Sequence, residues 1–280
     1  MAGIELVKAP GWDQYKWLRH GFSTRPGGAS TAYGGQSLNL GWTKEDDPAR
    51  VRENRRIFVE AASAPQEPPM RLITARQTHS KIVKAIGQEG LNGSLETPEG
   101  KAVIEADGLV TNTPGLLIAV GTADCVPVLV IDPVNRAVGA FHAGWRGTVA
   151  RIVKHGIDLM RQEYGSTTQN LVAAVGPSIG VCCYAVGEEV RDQFVGEFGY
   201  GRELFAERSS APGRDSKLFV DLWEANRKQL METGIPSEQI ALIGECTACT
   251  RLANGQRKYF SHRAEHGVAG RMLNAIGIAN

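Results

Sequence analysis

A chain of 280 residues that is 42% hydrophobic and 22% charged can bury a sizeable core as one large domain or two small ones, and its composition excludes wholesale disorder. Its 31 basic and 30 acidic residues leave a formal charge of +1, without the electrostatic footprint of a protein that tracks a phosphate backbone, so nucleic acid is not an expected partner. No secretory signal pattern opens the chain, no apolar run approaches the roughly 18 residues of a membrane span, and five scattered cysteines suit a reducing compartment, so the expected setting is the cytoplasm, away from membranes.

The first helix is predicted from Pro48, with Asp46 and Asp47 before it as caps and Val51 and Phe58 turned inward. Residues 63–70, with three prolines, are the nearest thing to a linker, but what precedes them is too short and sparse for an independent domain. Apolar runs often bounded by Gly or Pro recur at 116–120, 126–131, 137–141, 171–175 and 239–243, and read as strands. Their nearly continuous apolar character suggests burial on both faces. Between them, 148–160 reads as an amphipathic helix with Val149, Ile152, Val153, Gly156 and Met160 on one stripe. Further helices are expected over 187–198 and from Asp221 to Gly234, and the polar stretch 201–217 reads as a surface loop. With no internal repeat and a mixed order of elements, the pattern predicts one α+β domain over 1–280.

Three polar segments interrupt these runs and carry the residues suited to chemistry. Arg76-Gln77-Thr78-His79-Ser80 places a histidine after the apolar Leu72-Ile73, although one histidine alone is more often a surface or hydrogen-bonded residue than a ligand. Gly121-Thr122-Ala123-Asp124-Cys125-Val126-Pro127 puts a thiol at a strand end, where sites commonly lie, although free cysteine is also among the most often buried residues. Phe141-His142-Ala143-Gly144-Trp145-Arg146-Gly147-Thr148 joins a strand to the helix over 148–160. Free N–H groups, the helix dipole and the Arg146 guanidinium there suit an anion, and a tight turn with a surface arginine is the plain alternative. Neither the GxGxxG nor the GxxxxGK[ST] nucleotide spacing is present.

If His79, Cys125 and His142 converge, they form a borderline-soft set that suits zinc or copper and leaves one coordination position open. The same Cys125 and His142 also read as a thiol nucleophile and its base, oriented by Asp124 or His79. Cys182-Cys183 with Cys246-Thr-Ala-Cys249 offers a four-thiolate structural zinc. Against it, adjacent cysteines rarely point at one metal, and only one CxxC is present where a strong signal has two.

Together, Arg76-Gln-Thr-His79, Thr122-Ala-Asp-Cys125 and His142-Ala-Gly-Trp-Arg-Gly147 resemble the signature blocks of the YfiH/YlmD family, also called the polyphenol oxidoreductase laccase-domain family, which includes human FAMIN. The resemblance extends to His20-Gly-Phe-Ser-Thr-Arg25, Ser37-Leu-Asn-Leu-Gly41, Val175-Gly-Pro-Ser-Ile-Gly180 with Cys182-Cys-Tyr184, and Phe260-Ser-His-Arg263 with Gly270-Arg271, and so covers nearly the whole chain. It implies an α+β sandwich of mixed β-sheets with outer helices, related to the cysteine-hydrolase-like fold of certain toxins. It also implies one catalytic zinc, or copper, on His79, Cys125 and His142. The implied activity is phosphorolysis of adenosine, inosine and methylthioadenosine, with adenosine deamination beside it. An amidase-type hydrolase editing peptidoglycan precursors is the second reading, and a metal-binding protein without turnover the third. A multicopper oxidase would need many more histidines than the six present. Purine nucleosides and phosphate would be the partners, with Arg146, Arg25, His262 and Arg263 as candidates to hold them; for Arg25 a solvated loop residue is the alternative. Asp124 is the nearest ionisable neighbour for acid/base work, or a turn residue capping backbone N–H groups. One departure is that Ser261-His262-Arg263-Ala264 stands where many relatives carry Ser-Tyr-Arg-Arg.

Overall fold

The computed structural model describes residues 3–63, 68–93, 95–209 and 216–279. Residues 64–67 of the linker expected at 63–70 lie outside the described residues. In chain order the elements are β1 (Leu6–Val7), β2 (Leu18–Ser23), β3 (Pro26–Ser30), α1 (Pro48–Ala62), β4 (Arg71–Ile73), β5 (Val83–Ala85), β6 (Gly108–Thr111), β7 (Leu116–Thr122), β8 (Val126–Asp132) and β9 (Ala137–Ala143). There follow α2 (Trp145–Val149), α3 (Ile152–Tyr164), β10 (Val172–Val175), β11 (Ala185–Val186), α4 (Glu188–Glu197), β12 (Phe205–Ser209), β13 (Ser216–Val220), α5 (Leu222–Glu232), β14 (Ile240–Leu242) and β15 (Met272–Ile278).

These build the α+β sandwich of mixed sheets that the family resemblance implies. One sheet has the order β1-β2-β15-β7-β4, the other β14-β10-β8-β9-β6-β5, and a small third sheet runs β11-β13-β12. Alternation along single strands sets the layers. In β7, Leu116, Ile118 and Val120 face the space between the two large sheets, while Leu117 and Ala119 pack under Phe58 and Ala62 of α1. In β8, Leu129 and Ile131 face inward between the sheets, whereas Val126, Val128 and Val130 meet Ile152, Val153, Ile157 and Met160 of α3. Each large sheet is thus apolar on both faces, which is why the sequence runs are continuous. Parallel pairing is not the cause: β8 is antiparallel to both its neighbours.

Two helix starts read in the sequence are seen as side-chain caps. The Asp47 carboxylate accepts from the Ala49 N–H, and the Asp221 carboxylate from the Glu224 N–H. The helix expected over 148–160 is instead two, separated at Arg151, whose backbone is left-handed at φ 59°. Arg151 is held there by Glu197 and Glu232 from distant parts of the chain. The expected loop at 201–217 is also corrected. It contains β12 and the start of β13, an antiparallel pair whose outer face meets solvent and so carries polar residues; residues 210–215 lie outside the description.

Candidate metal centre

Strand order explains how three separate segments meet. β9 lies between β8 and β6, with His142 opposite Pro127 on one side and Phe141 opposite Gly108 on the other. Cys125, just before β8, and Asp107, just before β6, therefore arrive at the end of β9 beside His142. The loop after β4 brings His79 across. Gln77 fixes that loop to the end of β7 by exchanging two hydrogen bonds with the Gly121 backbone, at 2.6 and 2.8 Å.

One ligand atom each from His79, Cys125 and His142 lies within 4.8 Å of the others. Cys125 Sγ is 3.8 Å from His79 Nε2, and the two imidazoles meet edge to face at 4.9 Å. Asp107, wholly buried and absent from the sequence-derived candidates, organises the group. Its Oδ1 lies 2.8 Å from His142 Nδ1 and accepts from the His79 N–H at 3.0 Å, while Oδ2 accepts from the Ser80 N–H and hydroxyl, both at 2.7 Å. His142 is thereby left with Nε2 toward the cavity, the arrangement expected of a metal-binding imidazole with a carboxylate behind it. The signal for Asp107 in sequence was weak: one carboxylate in Glu105-Ala-Asp-Gly108 at the start of an apolar run. His79 itself has φ 61°, an unfavourable backbone for a non-glycine residue that the Asp107 bonds hold in place.

The electrostatics follow from this packing. Burial opposes ionisation of Cys125, but His142 and His79 beside it outweigh burial and bring the thiol down to about 6. Burial likewise disfavours a charged His142, yet the Cys125 sulfur and Asp107 overcome it and raise the imidazole to about 9. Asp107 is held well below the ordinary carboxylate range, because bonds from His142 and Ser80 exceed its desolvation. A cation in the triad would be met by one thiolate and two imidazoles at spacings that tetrahedral zinc or His₂Cys copper accepts, so the donor set fits a metal ion.

The triad lies on the wall of a cavity of about 930 Å³ that Asp124, Arg146, Tyr184, His262, Arg263 and Arg271 also line. Arg146 rests over the Trp145 ring, 4.3 Å from its centre, and has no carboxylate partner among the described residues. Because α2 has only five residues, attraction for an anion at this junction comes from Arg146 more than from a helix dipole. Arg263 stacks over Tyr184 and donates to the Ala185 carbonyl at 2.7 Å. Both Asp124 oxygens are engaged at 2.7 Å, Oδ1 by the Thr247 hydroxyl and Oδ2 by the Arg263 N–H. His262 is exposed at the rim.

Arg25 is not brought to this cavity. It pairs with Glu265 at 2.7 Å, donates to the Tyr33 carbonyl and lies over the Phe260 ring, and so ties two loops together. His20 is elsewhere again: it is buried, accepts from the Ala9 N–H at 3.0 Å, and burial aided by Lys8 lowers it to about 3. Among the described residues only two histidines share a ligand cluster.

The family model described as multi-copper polyphenol oxidoreductase laccase matches residues 19–279. A protein of Bacteroides thetaiotaomicron named purine nucleoside phosphorylase is 36% identical over 278 residues, 99% of this chain and 96% of that one. Adenosine deaminase RL5, from an unknown prokaryotic organism, is 33% identical over 91% of this chain and 92% of its own length. The crystal structure of a Bacillus licheniformis hypothetical protein YfiH superposes with a TM-score of 0.83 at 31% identity, covering 99% of this chain and 97% of that one. No helix among the described residues is long and apolar enough to cross a membrane.

Proposed function

We propose, since the chain belongs to the multi-copper polyphenol oxidoreductase laccase family, that of the YfiH and YlmD proteins, that it is a metal-dependent purine nucleoside phosphorylase. It takes adenosine, inosine and methylthioadenosine, deaminates adenosine as a companion reaction, and works in the cytoplasm as one unit over 1–280. The observation that carries this reading is the meeting of His79, Cys125 and His142 on the wall of one cavity that also holds the unpaired Arg146.

Zinc or copper held by those three residues would supply Lewis acidity and an open coordination position. The remaining work belongs to the chain. Phosphorolysis forms a bond from a phosphate oxygen to the sugar C1′ as the bond from C1′ to the purine N9 breaks; the electron pair leaves with the purine, which takes up a proton. Arg146, unencumbered by a carboxylate, takes two phosphate oxygens side by side, with Arg263 as the second cation. Asp124 acts as a bracket, since both its oxygens already hold Thr247 and the Arg263 backbone. His262 at the rim is the side chain left to exchange the proton with the departing base.

Metal-replete protein given adenosine and phosphate is expected to release adenine, ribose 1-phosphate and some inosine. Arg146→Ala should raise the KM for phosphate by about tenfold or more, the loss expected for a charge-assisted hydrogen bond. Absence of all three products would sink the nucleoside reading.

A further inference from the structure

On the far side of the Tyr184 wall, the four remaining cysteines come together. Cys182, Cys183, Cys246 and Cys249 place their sulfurs within 4.8 Å of one another, with Cys182 Sγ 3.7 Å from Cys249 Sγ. The expectation that adjacent cysteines would diverge does not hold, because Gly180 begins a tight turn. Its carbonyl accepts from both the Cys183 and Tyr184 N–H groups, at 2.9 and 3.0 Å, and the turn aims both thiols the same way. A Cβ at Gly180 would lie 3.0 Å from the Trp223 ring and 3.3 Å from Cys182 Sγ, so a side chain there would crowd the cluster. The partner segment is aligned by a parallel bridge of Ser178 with Cys246 and by the Thr247 N–H, which donates to the Ser178 carbonyl at 3.0 Å.

We propose that these four cysteines bind one structural zinc ion, distinct from the His79, Cys125 and His142 centre, that clamps the Gly180 turn to the Cys246 segment. Tetrahedral zinc with bonds of about 2.3 Å sets its sulfurs about 3.8 Å apart, which is the observed spacing of Cys182 and Cys249. Four thiols this close cannot all ionise without a cation among them. Binding one Zn²⁺ with loss of four thiol protons leaves a net charge of −2, and a backbone N–H group is in place to soften it. Gly180 donates to Cys246 Sγ at 3.2 Å. The opposite wall of the clamp is the catalytic cavity: Tyr184 follows Cys183 directly, and Thr247 holds Asp124. This inference stands independently of the nucleoside reading.

The test is zinc content of the full-length protein, measured by elemental mass spectrometry after equilibration with zinc alone. Wild type should carry two zinc ions per chain, His79→Ala/Cys125→Ser one, and Cys182→Ser/Cys249→Ser one. Cobalt substituted into His79→Ala/Cys125→Ser should give the intense thiolate charge-transfer and d–d absorption of an all-sulfur tetrahedral site. That spectrum does not depend on the serine variants of the clamp folding. No metal in His79→Ala/Cys125→Ser protein, with four thiols free to a thiol reagent or a disulfide among them by intact mass, would overturn the proposal.

Discussion

At the scale of single residues, the site depends on a carboxylate that never faces the cavity. Asp107 accepts from the backbone of Thr78, His79 and Ser80 and from the Ser80 hydroxyl, and it fixes the His142 ring. An asparagine at this position offers an N–H₂ where donors already converge and cannot satisfy both sides of the network. Asp107→Asn should therefore weaken zinc at the triad by about 10- to 100-fold, as loss of a carboxylate behind a ligating imidazole does, measured by competition with a chromogenic chelator. Unchanged affinity would mean that His142 is oriented by something else. The contrast between proposed ligands and supporter explains what could be read early. His79, Cys125 and His142 are residue types whose chemistry draws attention, and family resemblance joins them. Asp107 is an ordinary acid in sequence, and its importance comes entirely from being buried opposite the end of a neighbouring strand. Arg25 is the converse. Its loop setting suggested an anion, but Glu265, 240 residues away, had already claimed the charge.

At the scale of elements, the strands over 116–120, 126–131, 137–141 and 171–175 were legible because their apolar runs match the layers that bury them, whereas β12 was read as loop and the helix over 148–160 was misread. Nothing at Arg151 marks a break; no glycine or proline stands there, and the left-handed turn is held by carboxylates of α4 and α5. Local propensity cannot report a constraint supplied from elsewhere in the fold. The strand-to-helix junction ahead of it has a sharper requirement. At Gly144 the backbone is extended, so conformation alone would allow another residue, but an added Cβ would lie 2.9 Å from Cys125 Sγ and 3.1 Å from a His79 ring carbon. Gly144→Ala must push two proposed ligands aside while leaving the sheets untouched. Because displacement by a fraction of an ångström to about 1 Å at a reacting centre costs about 100-fold, kcat/KM should fall on that order, with the cooperative melt retained. Full activity in the alanine variant would show that neither ligand is held as tightly as the packing indicates.

At the scale of the whole molecule, residues far apart in sequence close one sandwich, and its order could not be read from any single element. The last strand, β15, does not lie at an edge: it pairs with β2 on one side and β7 on the other, and all seven of its residues are buried. Its Leu273 and Ala275 pack under α1 while Ile276 and Ile278 fill the space between the sheets, so the C-terminal segment joins both cores. The end of the same strand borders the cavity, where Arg271 and Leu273 form part of the wall. Full burial of Met272, Leu273, Ile276 and Ile278 at about 1.5–3 kcal/mol each amounts to roughly 6–12 kcal/mol, comparable with the whole stability of an ordinary domain. Ending the chain at Arg271 should therefore abolish cooperative unfolding and leave the product aggregated or molten. Deleting residues 1–7 should cost far less, because β1 is a two-residue edge strand, only half-buried, with one neighbour. Circular dichroism melts of the two truncations decide between a β15 that completes the fold and one that only covers it. A cooperative transition in the chain ending at Arg271 would show that β2 and β7 can close without the strand between them.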